Sequence, residues 1–403
     1  MNTEEPIGII ELGNPNLKCI IFKINNNNDA EILSTTVTSS EGIYNDVVMN
    51  LKKASDSIRL SISTAEKKAK VSLKKINVIL EQPDFLCTRF SKQKKIDDSK
   101  IHRQDIEFLL KEAKKQLILN DKNQSIIHIF NHNYIVDNKI FIEEPLNVFA
   151  DSFTHEMTFI TAPKNNLKNI NQIFIDCDIE IERLISHTFA LGVELFDTQE
   201  LQSGIVLINL GLKKISLGLF KNLALVHSIT FPVGADHIVN DISKVCSLSL
   251  EESLEIRNNI DFSFKNNSNL FDENSFLKKT FFIDSKFRKI SKSLIFKIIN
   301  ARMEEIFEMI KKQLTLTGFN FNSGINFFLT GEGSNLTNIQ KYCQNFLGLN
   351  TTVRRKDNLE KNFPACLGGI RIIKEGWETE AMPEIKVKSI EKMGFLRKFF
   401  GDR

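Results

Sequence analysis

The residues with the clearest chemical potential lie in two short turns, Glu11-Leu12-Gly13-Asn14-Pro15-Asn16 and Asn209-Leu210-Gly211-Leu212-Lys213-Lys214. A chain that turns tightly at glycine can bring successive backbone N–H groups close to an anion. Glu11 places a carboxylate beside the first turn, and Lys213 and Lys214 place cations beside the second. Pro15 removes one backbone donor from the first. A third loop, TGEGS, holds Gly331, Gly333 and Ser334, although a strand-to-helix turn calls for glycine in any case. No G-x-S-x-G, H-E-x-x-H or G-x-x-x-x-G-K signature occurs, so catalysis would have to rest on these turns alone. His128 and His132 stand four apart, but IIHIFNHNYIV alternates like a strand and reads as strand-edge histidines rather than metal ligands. The six cysteines stand singly, as expected of reduced thiols in a cytosolic core.

A different chemistry lies in the last residues, KSIEKMGFLRKFFGDR. On a helical wheel Ile390, Met393, Leu396, Phe399 and Phe400 share one side, with Lys392 and Arg397 flanking it and Lys398 opposite. Large apolar side chains bordered by cations suit a helix lying in a membrane interface. A polar stretch with Pro383, residues 377–388, precedes this helix (389–403) and reads as a linker.

The glycine turns sit inside an internal repeat. IIELGNPNLKCIIFK from Ile9 and VLINLGLKKISLGLFK from Val206 align Gly13 with Gly211, Leu17 with Ile215 and Phe22 with Phe220. Each copy predicts a strand, a glycine turn and a second strand, followed by a third: AEILSTTVT in one half, ALVHSITFPV in the other. Helical sequence then follows, Asp46 to Lys70 in the first half, with HIVNDISKVCSL and Ser285 to Leu316 in the second. Buried strands INVILEQ and INFFLTG come next. This alternation predicts an α/β protein of two similar lobes enclosing a cleft. Residues 84–162 belong to neither copy. They predict a small α+β insertion with one helix (Arg103 to Leu119) and strands SIIHIFN, NYIVDN and EMTFITA. Asn258 to Ser275 is Asn-rich and reads as a flexible loop. The expected division is therefore 1–83 and 163–202 for the first lobe, 84–162 for the insertion, 203–228 and 305–376 for the second lobe's core, and 229–304 for its small subdomain.

The 403-residue chain, with 42% hydrophobic residues, a quarter charged and a net charge of +3, has the composition of a globular protein without a nucleic-acid surface. No apolar run approaches the roughly 20 residues of a spanning helix. The polar, acidic N-terminus does not resemble a signal peptide. Membrane contact would be peripheral.

Several segments resemble the bacterial cell-division FtsA family of actin-like proteins. PVGADHIVNDIS, FFLTGEGSNLTNI and IINARMEEIFEMI resemble its nucleotide-loop and helix motifs in order, and the insertion resembles its family-specific subdomain. The resemblance implies an actin-like fold of duplicated ribonuclease H-like lobes. It also implies a site for ATP or ADP with Mg²⁺, drawing on Glu11, Gly13, Asn14, Asn209, Gly211, Lys213, Lys214, Gly234, Glu305, Gly331, Gly333 and Ser334. The chain departs from the pattern: Asn14, Pro15 and Asn16 replace a Thr-Thr-Lys, and Asn209 replaces an acid that would help to hold the metal. No catalytic residue and no direct metal ligand is assigned, and hydrolysis is expected to be weak or absent. The family further implies a docking site for the C-terminal peptide of the tubulin homologue FtsZ at Lys297, Ile298, Arg302 and Glu305, with Lys286, Lys289 and Lys292 nearby. It implies self-association, recruitment of later division proteins, and attachment to the cytoplasmic face of the inner membrane. The rival readings are a scaffold resembling the pilus-assembly protein PilM, and an actin-fold phosphotransferase such as a sugar kinase.

Overall fold

A computed structural model describes residues 5–13, 15–141, 143–263, 267, 269–321, 323–348, 353–355 and 363–375. Its two large sheets are built on one plan. The first runs Glu180–Ser186, Lys75–Leu80, Ile7–Glu11, Asn16–Ile24, Ala30–Ser39. The second, read the same way, runs Arg354–Arg355, Asn326–Thr330, Ile205–Leu210, Ile215–Lys221, Ala224–Phe231. In each, the repeat's first strand pairs in parallel with the strand that follows the helical segment. The duplicated sequence thus folds twice into the same topology, that of actin-like proteins. The copies differ at the hairpin between second and third strands. In the second copy Asn222 and Leu223 alone make the turn, at φ 51° and 65°, the geometry of a tight type I′ hairpin. The first copy spends Asn25–Asp29 on the same reversal.

The chain divides into two compact units, one holding residues 1–204, 218–230 and 358–403, the other 205–217 and 231–357. In the first unit, helix Leu51–Ala69 packs Ala54, Ile58, Ile62 and Ala65 beneath the sheet. It begins later than its apolar period suggests. Asn50 caps it by accepting from the Lys53 N–H, and Asn45 and Asp46 take positive φ. The Asp46 carboxylate instead accepts from the Glu81 N–H, tying the preceding loop to the end of a strand. Helices His187–Leu195 and Pro364–Glu375 pack on one another and on the sheet. Their backbones approach so closely that a Cβ on Gly368 would overlap the Ala190 carbonyl.

The insertion, also in this unit, is a sheet ordered Leu86–Lys100, Phe149–Pro163, Gln124–Val136, Lys139–Phe141. Helix Arg103–Asn120 covers it with Ile106, Leu109, Ala113 and Leu117. SIIHIFN and NYIVDN, expected as two strands, form one long strand. A register shift opposite Glu156 and Met157 absorbs the extra residue. His128 lies wholly in the interior rather than at an edge, and its Nε2 accepts the Ser186 N–H at 2.8 Å. Burial holds its pKa down to about 3, and likewise holds His155 and His227 down to about 4. A histidine depressed in the folded chain binds its proton only on unfolding. Stability is therefore retained above the unfolded pKa of about 6.5 and falls as pH drops toward 3–4, by up to about 1.4 kcal/mol per pH unit at His128. The melting temperature of the full chain should fall by several degrees between pH 7 and pH 5.5; a profile flat across that range would contradict the assignment.

In the second unit the long helix starts at Lys292, capped by Ser291, so Asp284–Ile290 is not helical. That non-helical segment is pinned by Glu252, whose carboxylate accepts from the N–H groups of Ile283, Asp284 and Ser285 and from the Ser285 hydroxyl. The segment expected to be a polar loop carries core residues as well: Leu270 and Phe271 are buried, and Asp261 bridges to Thr337.

Candidate functional site

The two glycine turns have matching local geometry. A Cβ on Gly13 would stand 2.5 Å from the Asn16 carbonyl oxygen, and one on Gly211 would stand 2.6 Å from that of Lys214. In both, then, the chain folds back on itself three residues later, and only glycine fits. Around the first turn, in the first unit, Glu11 is buried and faces Lys18 Nζ and His187 Nε2, each at 3.6 Å. Asn14 lies outside the described residues.

The second turn is stitched to two neighbouring loops of its own unit. Gly211 and Leu212 use their carbonyls to accept from the N–H groups of Ala235 and Asp236 at 3.0 and 2.9 Å. Gly234 lies against the Leu212 carbonyl, where no Cβ could be accommodated. Gly331, at φ +87°, lies against the Asn209 side chain and the Leu210 carbonyl, and Gly333 against that same carbonyl. Ser334 closes its own loop by donating to the Gly331 carbonyl at 2.7 Å. The glycines called for by the sequence thus let three loops meet. Lys213 Nζ pairs with Asp236 at 2.8 Å. Lys214 has an interaction of its own as well.

Two residues at this place carry no role in the sequence reading. Asp236 stands in the first turn of its helix, and Arg257 is buried in helix Leu250–Asn258. Its Nε and Nη2 donate to Asn258 Oδ1, while Nη1 has no hydrogen-bond partner. Burial lowers its pKa, and the nearby charges of Asp236 and Glu332 oppose that shift. Nothing in the sequence flags a buried arginine on such a short helix.

These residues fit magnesium poorly in the second unit. A hard divalent cation wants anionic oxygen. Here Asn209 offers a neutral amide packed on Gly331, and the Asp236 carboxylate is already held by Lys213. Among the described residues no group of three or more His, Cys, Asp or Glu side chains could hold a metal ion.

The residues expected to bind a peptide separate into two faces of helix Lys292–Leu316. Arg302 makes a bidentate pair with Asp241 at 2.7 and 3.1 Å and also reaches Glu305 at 2.6 Å. Its charge is therefore spent within the protein, and Glu305, expected at the nucleotide as well, is spent with it. Lys297 instead lines a groove of about 680 Å³ with Ser275, Lys292, Ser293, Phe296, Asn300, Ala301 and Glu304. Lys292 lies over the rings of Phe271 and Phe296, and Lys289 over Phe276. Asn300 Oδ1 is buried without a partner. Two lysines, an aromatic ring and the unpartnered Asn300 give the groove groups that can contact an extended peptide, with Glu304 as its one acid. Ile298 is half-buried beside them. The set expected to face a membrane, Ile390, Met393, Leu396, Arg397, Lys398, Phe399 and Phe400, lies outside the described residues, and no described helix is long and apolar enough to cross a membrane.

Residues 86–161 match the family model described as the SHS2 domain inserted in FTSA. The chain is 21% identical to the cell division protein FtsA of Agrobacterium fabrum over 87% of this chain and 81% of that one. It is 23% identical to the FtsA of Bacillus subtilis over 93% and 84%, and 21% identical to that of Buchnera aphidicola over 95% and 94%. Among solved structures, the PilM-PilN type IV pilus biogenesis complex aligns with a TM-score of 0.61 at 11% identity, covering 91% of this chain and 97% of the other. The Spiroplasma citri protein MreB5 bound to AMPPNP aligns with a TM-score of 0.51 at 12% identity, covering 92% and 96%. These two carry the fold alone.

Proposed function

We propose, from the premise that the chain is a divergent member of the FtsA family, that this actin-like cell-division protein is an adaptor between FtsZ filaments and the membrane. The observation that carries the reading is the SHS2 insertion within the first of two duplicated actin-like sheets, matched along most of the chain by cell-division relatives. In this reading the C-terminal peptide of FtsZ docks in the groove beside Lys297. The last fifteen residues, 389–403, lie in the lipid headgroups of the inner membrane's cytoplasmic face. Copies held side by side by self-association multiply a weak lipid affinity through avidity, and their other surfaces recruit later division proteins at the division site.

The groove gives the direct test. Lys297→Glu places a carboxylate where an acidic peptide must pass, and binding of an FtsZ C-terminal peptide, followed by fluorescence anisotropy, should weaken about tenfold or more. Arg302→Glu is the poorer probe, since it also breaks the pair with Asp241. Wild-type protein that fails to bind the peptide, or a Lys297→Glu variant that binds it unchanged, would remove the groove from the proposal.

A further inference from the structure

The second unit's phosphate turn departs from a metal site in a consistent direction. Asn209 offers a neutral amide where the resembled pattern has an acid, and Lys213 and the buried Arg257 bring cations to the same unit. We infer that this half of the site takes the polyphosphate of a nucleotide on cationic side chains, without a divalent metal. Three features combine in this reading. Lys213 stands at the glycine turn with its ammonium held by Asp236 in the first turn of helix Asp236–Cys246. The N–H groups of Ala235 and Asp236, which a helix start would ordinarily offer to an anion, are consumed by the carbonyls of Gly211 and Leu212. Side-chain cations must therefore do what backbone donors do elsewhere. Arg257, with the charges of Asp236 and Glu332 nearby, then supplies a second cation whose buried Nη1 makes no hydrogen bond and which a phosphate oxygen would satisfy. A carboxylate already paired with lysine draws Mg²⁺ weakly, whereas a phosphate arriving at Lys213 gains a charge-assisted hydrogen bond. The inference is independent of the adaptor reading, and either can fail alone.

The test is binding of ATP to the full-length protein, measured by isothermal titration calorimetry in magnesium and again in EDTA. The two dissociation constants should agree within about twofold, because no metal bridges protein and phosphate. Asn209→Asp should restore a metal preference, binding about tenfold tighter in magnesium than in EDTA. Lys213→Ala should weaken binding about tenfold in both buffers. The double variant Lys213→Ala/Asp236→Asn decides what the lysine does. If Lys213 serves only to neutralise Asp236, the double variant recovers wild-type affinity and the inference falls; if the lysine meets phosphate, the double variant stays weak. Wild-type binding lost in EDTA, or no binding in either buffer, would overturn it as well.

Discussion

Replacing Gly368 by alanine should destabilise the protein by about 3 kcal/mol, against a helix-propensity gain of roughly 1 kcal/mol that would otherwise favour it. The added methyl has nowhere to go. It meets the Ala190 carbonyl, backbone against backbone, where helix Pro364–Glu375 crosses helix His187–Leu195. Relief requires moving one helix off the other, which unpacks Phe189 and Ile372 from the interior. The neighbouring Gly369 provides the control. A methyl there meets the side chains of the buried Ile9 and Ile79 rather than backbone, and these can give in part, so Gly369→Ala should cost clearly less than Gly368→Ala. Chemical denaturation of the full chain separates the two cases. Equal midpoints for Gly368→Ala and wild type would mean that the helices part more easily than their packing implies.

The second large effect concerns the tail. If the tail enters lipid as proposed, changing Phe399 and Phe400 to glutamate removes two apolar rings, each worth about 1.5 kcal/mol or more at the lipid surface. Co-sedimentation with anionic liposomes should then drop about a hundredfold in partition coefficient, and a chain truncated after Glu384 should stay in the supernatant. If the truncated chain pelleted as fully as wild type, the lipid contact would have to be sought in the described part of the protein.

Much of this architecture was legible in the sequence because the repeat was. Gly13 and Gly211 sit at equivalent turns of equivalent sheets, and the period-2 and period-3.6 patterns identified their strands and helices. What escaped was set by local chemistry that composition hides. The start of helix Leu51–Ala69 was decided by Asn50 and by the bond from the Asp46 carboxylate to the Glu81 N–H, not by apolar period. The non-helical run before Lys292 was fixed by the Glu252 carboxylate, a long-range contact with no sequence signature. At the site, the charges of single residues were legible but their partners were not. Arg302 looked like a free cation for a peptide and Lys213 one for a phosphate, yet each meets a carboxylate on helix Asp236–Cys246, Asp241 and Asp236 respectively. Charge in a sequence says what a residue can attract, and only the fold says what it has already attracted.

The crossing at Gly368 also sets a route for mechanical force. Residue 376 follows directly on a helix whose backbone interlocks with helix His187–Leu195, whose Arg371 donates to the Val193 carbonyl, and whose Lys374 reaches Asp29. A pull applied through the C-terminal end would therefore enter the first unit as shear along a closely fitted seam. Shear must break many small contacts at once, where peeling would break them in turn. On the proposed lipid attachment, tension from a bending membrane would be borne at that seam before it could unravel the sheet beneath.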